Sequence, residues 1–113
     1  MQSEMMAKPR STKSSGNVFA DIGVPDAEEH LAKADLVIGI AAIIRSKGLS
    51  QTAAAKLVGL EQPDISRLMR GHFEGFSYDR LFGILNALGE NIRVVVSDAK
   101  PGKDAKLEFE FAT

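Results

Sequence analysis

The chain has 113 residues, 14 of them basic and 15 acidic, for a formal net charge of −1; this fits one small domain with tails and a modest core, and excludes a generally basic nucleic-acid coat. The absence of cysteine excludes disulfides, thiolate metal sites and a cysteine nucleophile, and agrees with a reducing cytoplasm. The longest apolar run, Leu36 to Ile44, is far too short to cross a bilayer, and no hydrophobic segment follows Lys8, Arg10 and Lys13 as a signal peptide would require.

Residues 1–16, rich in Ser, Lys and Met without periodicity, read as a disordered arm. Residues 17–24 alternate Val18, Ala20 and Ile22 against Phe19, as an extended segment lying on the first helix would. Asp26 with Glu29 three residues on forms a capping box that starts this helix near Ala27, and Gly48 ends it. Between them Leu36, Val37, Ile38, Ile40, Ala41, Ala42, Ile43 and Ile44 leave almost no polar side. A helix apolar all round must be covered from more than one direction: by the rest of the domain, and by the N-terminal segment, a second subunit or another protein.

The window Leu49 to Gly71 (LSQTAAAKLVGLEQPDISRLMRG) predicts two short helices joined by a tight corner. Ser50 is a good N-cap for a helix opening at Gln51. Ala54, Ala55 and Val58 recur at helical intervals, with Ala55 small where a second helix must come close. Gly59 stops that helix, Leu60 plugs the corner, and Pro63 falls in the opening turn of the next, where its missing N–H costs nothing. Ile65 and Leu68 set one apolar stripe inward, leaving Gln62, Asp64, Ser66, Arg67 and Arg70 on other sides. From Arg45 to Gly71 there are five basic residues (Arg45, Lys47, Lys56, Arg67, Arg70) against two acids (Glu61, Asp64), a local surplus of three positive charges.

Beyond a turn from His72 to Phe76, broken by Gly75, Ser77 caps a fourth helix that faces Leu81, Phe82, Ile84, Leu85 and Leu88 inward and closes at Gly89. Asn91 to Ser97 is β-branched, with Ile92, Val94 and Val96 on one face; Lys106 to Phe111 sets Leu107, Phe109 and Phe111 against Lys106, Glu108 and Glu110. The fold class expected is therefore mainly α: a four-helix repressor-like helix-turn-helix core followed by one or two C-terminal β-strands. Its domain spans residues 17–97, and residues 98–113 form a loop with either a second strand for dimerisation or a flexible tail. Two strands alone are marginal in water, and pairing across a two-fold axis would extend the sheet and build a dimer.

Catalytic chemistry finds no support. His30 and His72 lack neighbours at metal-ligand spacing, no Ser sits in a nucleophile elbow, and no Gly-rich phosphate loop follows a strand. No enzyme activity, metal or cofactor is expected.

Gln51, Ala55, Gly59 and the run Ile65-Ser66-Arg67 make the window resemble the helix-turn-helix of the Xre/Cro-repressor family. The wider pattern over roughly residues 16–97 is similar to the HigA-type antitoxins of that family. Two departures stand out: Met69 occupies a place where many members carry an acid, and strand-like sequence replaces the usual fifth helix, with its helical dimer interface. The resemblance implies a cytoplasmic transcriptional repressor, a homodimer on double-stranded operator DNA. It further implies the antitoxin of a type II pair, neutralising a RelE/HigB-like ribonuclease toxin. On this reading Gln62, Asp64, Ser66 and Arg67 reach base edges, with Arg67 the leading candidate for a guanine, while Gln51, Lys56 and Arg70 hold phosphate. The alternative is a protein-binding helical module without DNA binding, favoured by the acids Glu61 and Asp64 at the front of the second short helix.

Overall fold

The computed structural model describes residues 26–112, with side-chain surroundings from Glu29 onward. The expected N-terminal arm, the segment 17–24 and the Asp26 side chain of the capping box lie outside the described residues. Four helices follow one another: α1 (Asp26–Ser46), α2 (Gln51–Val58), α3 (Gln62–Met69) and α4 (Tyr78–Ala87). They enclose one apolar core built from Leu36, Val37, Ile40 and Ile44 of α1, Ala54 and Ala55 of α2, Ile65 and Leu68 of α3, and Leu81, Ile84 and Leu85 of α4.

Local chemistry sets the boundaries. The Ser50 side chain accepts the Ala53 N–H at 3.0 Å and starts α2; Ser77 does the same for α4 through the Arg80 N–H at 3.1 Å. Gly59 sits at φ +78°, a conformation costly for any residue with a Cβ, and lets the Leu60 N–H close back on the Ala55 carbonyl at 2.9 Å. The chain thus reverses within three residues before Pro63 opens α3.

The connection from α3 to α4 contributes more to the core than a surface turn would. Phe73 and Phe76 are both buried, and the Phe76 N–H donates to the Phe73 carbonyl at 3.0 Å. Gly75 at φ +85° occupies the third position of this four-residue turn, where a positive φ is required, so both rings point inward. The turn expected from His72 to Phe76 thus carries two core residues, which its sequence alone did not assign to the core. Tyr78 next to it is buried too, and its hydroxyl donates to the Glu29 carbonyl of α1 at 2.8 Å. Burial, and to a smaller degree the Glu29 carboxylate, push the Tyr78 phenol up to about 12.

The expected C-terminal strands are not formed: residues 91–99 and 104–112 contain neither helix nor ladder. The physical reason is the lack of a pairing neighbour among the described residues. A turn at Lys100–Lys103 is closed by the Lys103 N–H on the Lys100 carbonyl at 3.0 Å. No backbone hydrogen bond joins the arms on either side of it, so neither serves as the other's partner. The second arm instead lies on the helices. Phe109 packs at 5.9 Å from Tyr78 and 6.0 Å from Phe82 between ring centroids, and the Phe111 ring covers Gly39 so closely that a Cβ there would overlap it. Part of the cover that α1 needs therefore comes from the C-terminal end. Leu31 and Ile38, at 63% and 61% exposure, stay bare on its outer side.

Candidate nucleic-acid interface

The site is a ridge on α3 held by its own buried stripe. Ile65 and Leu68 are fully buried against α1 and α2, and at 100° per residue this turns Pro63, Ser66, Arg67 and Arg70 to the opposite side, with Gln62 and Asp64 on its flanks. Gln62, Pro63 and Arg70 are exposed, and Asp64, Ser66 and Arg67 half-buried. Nothing among the described residues covers the ridge.

The residues expected to act together are already joined in pairs. The Gln62 amide nitrogen donates to the Gln51 amide oxygen at 2.7 Å, tying the first residue of α2 to the first of α3. One N–H and the carbonyl oxygen of Gln62 remain, the donor and acceptor that an adenine edge requires, and both N–H groups of Gln51 stay available. Arg70 Nη1 donates to Ser66 Oγ at 2.6 Å, which orients an otherwise exposed guanidinium along the ridge. Lys56 is exposed on α2.

Arg67 stands differently from a freely projecting reader. Its Nη1 lies 3.3 Å from Asp64 Oδ1, its Nη2 donates to the Glu74 carbonyl, and its guanidinium carbon sits 5.2 Å from the centre of the Phe76 ring. The Arg80 guanidinium meets the same ring at 4.8 Å. Arg67 thereby ties α3 to the turn before α4, and the helical spacing alone gave no sign of it because its partners come from that turn. The contact also offsets the Asp64 charge, which unpaired would oppose a phosphate backbone; Glu61, exposed and without a side-chain capping bond, keeps its own. The groove between α1 and the end of α3, lined by Ile38, Arg45, Met69 and Arg70 among others, holds about 180 Å³. That is smaller than the roughly 300–1,000 Å³ of ordinary small-molecule sites.

A family model described as a helix-turn-helix domain matches residues 18–97 of the chain. A solved structure described as an XRE-family transcriptional regulator superposes with a TM-score of 0.73 at 37% sequence identity, covering 78% of this chain and all of the other. No curated protein matches. No helix among the described residues is long and apolar enough to cross a membrane.

Proposed function

The chain belongs to the helix-turn-helix family of Xre type, and from that premise we propose that it is a DNA-binding transcriptional repressor that meets an inverted-repeat operator as a homodimer. The observation that supports this reading most is the open α3 ridge, uncovered and polar, on a helix whose inner stripe is locked by full burial of Ile65 and Leu68.

Inserted into a major groove, the ridge would present Gln62, Asp64, Ser66 and Arg67 to base edges. Gln51, Lys56 and Arg70 would hold the flanking phosphates, an orienting role that carries no sequence information. The Gln62–Gln51 bond gives the first of these readers a fixed rotamer, which lowers the entropy lost on binding. Arg67 must leave Glu74 and Phe76 before it can pair with a guanine. Its replacement by Ala separates two roles: a loss confined to operator DNA marks a base reader, whereas equal loss on operator and random DNA marks a brace for the ridge.

The decisive test of the function is a gel-shift titration against the DNA upstream of the chain's own reading frame, repeated over a salt series. Specific affinity falling steeply with salt supports the repressor; salt-insensitive association, or none, favours the protein-binding module instead.

The antitoxin role is a second proposal. The bare Leu31 and Ile38 of α1 offer apolar surface to a RelE-like ribonuclease. Co-expression with the adjacent small reading frame tests it, since failure to form a complex or relieve toxicity leaves a stand-alone repressor.

A further inference from the structure

The run from Asn91 to Ser97 is the most exposed apolar stretch of the described chain. Val94, Val95 and Val96 are 70%, 74% and 88% exposed, and β-branched residues of this kind gain stability chiefly by packing on a pleated, half-buried surface. The Glu90 N–H still closes α4 on the Leu85 carbonyl at 3.0 Å, but no backbone hydrogen bond joins residues 91–99 to any described residue. An apolar run with a free backbone edge is a template for another strand.

We propose that residues 91–97 pair antiparallel with the same residues of a second copy of this chain, across a two-fold axis at Val94. The inference rests on the two-fold assembly proposed above, not on its DNA chemistry.

Self-complementarity identifies the occupant. With the axis at Val94, Ile92 stands beside Val96 of the other copy and Val94 beside its own counterpart, so the apolar side chains of the two strands form one continuous cross-strand row on the same face. On the opposite face Arg93 meets Val95 and Asn91 meets Ser97. No charge opposes a like charge, because Arg93 is the only ionisable residue in the run. The other arm is a poorer seam. Pairing residues 106–111 with themselves about Glu108 or Phe109 sets Glu108 against itself or against Glu110. Its apolar face is in any case occupied at home, with Phe109 beside Tyr78 and Phe82 and Phe111 on Gly39. A two-fold seam also suits the fold's geometry, since it presents two α3 ridges related by the symmetry of an inverted repeat.

Sedimentation velocity on the full chain, its Val94→Glu and Val94→Lys variants, and their equimolar mixture tests the seam. The native chain should be dimeric; each variant, with like charges brought together on the axis, should fall to half the mass with unchanged helical circular dichroism; and the mixture should regain the dimer mass. A monomeric native chain, a dimeric Val94→Glu variant, or a mixture that stays monomeric overturns the proposal. Should Val94→Glu lose helix, oxidation of Val94→Cys decides in an otherwise cysteine-free chain: a disulfide-linked dimer is expected, and its absence overturns the proposal. A monomeric native chain that still shifts a half-site duplex with a steep salt dependence would remove this seam while leaving the DNA reading in place.

Discussion

Residues 49–71 and residues 91–112 use similar aliphatic side chains to opposite effect. In the first region Ile65 and Leu68 are wholly buried; in the second Val94 to Val96 stand in solvent. The difference lies in the backbone. A helix meets its hydrogen-bond demand within itself and needs only one apolar stripe and a cap, which Ser50, Gly59 and Pro63 supply locally. A strand exists only when a neighbour meets half of its demand, and the described residues provide none. The backbone of one region is therefore satisfied within its own helices, whereas that of the other is left without a pairing strand among the described residues.

The largest effect that could break this comparison is a pair of truncations. Leu68→Ala should cost roughly 2–5 kcal/mol of unfolding free energy, since it empties a fully enclosed position between α3 and its neighbours. Val95→Ala, measured by urea denaturation at a concentration where the chain does not self-associate, should stay within about 0.5 kcal/mol. Equal costs at the two positions would mean that residues 91–97 are packed inside the protomer, and the contrast would fail.

What could be read from the sequence follows the same division. Ser50, Gly59, Pro63 and Ser77 act on backbone groups a few residues away, so their roles were visible in spacing alone, and Ile65 with Leu68 followed from helical period. Phe73 and Phe76 were not legible as core, because their burial depends on a turn that aims both rings at helices far along the chain; two phenylalanines flanking Glu-Gly were the only hint. The fold-back of Arg67 was hidden for a related reason. A helical projection places it outward, while the Glu74 carbonyl and the Phe76 ring that hold it belong to the next connection. Alternation in residues 91–97 and 106–111 revealed a face but could not say whether a partner was present to cover it.

A smaller effect sharpens the boundary between the two regions at Tyr78, whose hydroxyl reaches α1 and whose ring meets Phe109 of the C-terminal arm. Tyr78→Phe should lower stability by about 1 kcal/mol at neutral pH through the lost bond to the Glu29 carbonyl. It should also change the alkaline limb. The phenol titrates near its ordinary value of 10.0 in the unfolded chain and near 12 in the folded one. Folding is thus favoured by the neutral form, the full contribution is present below pH 10, and it is lost as pH rises through the interval up to 12. Circular dichroism melts across that interval should show the native protein losing stability faster than Tyr78→Phe; parallel declines would show that the hydroxyl is not desolvated.

The finest distinction concerns how firmly the C-terminal arm is seated, and Gly39 gives access to it. In a bare helix interior Gly→Ala stabilises by roughly 0.5–1 kcal/mol, because alanine has less backbone entropy to lose on folding. At position 39 the Phe111 ring occupies the space a Cβ would take. Gly39→Ala must therefore push the ring away, and the propensity gain should be cancelled or reversed. In a Phe111→Ala background the obstruction is gone and the ordinary gain should return. A double-mutant cycle by urea denaturation reads the difference directly as a coupling between the two positions. Equal effects of Gly39→Ala in both backgrounds would show that Phe111 does not rest on α1. The second arm would then be as uncommitted as the first, and the distinction between a docked arm and a pairing arm would have to be given up.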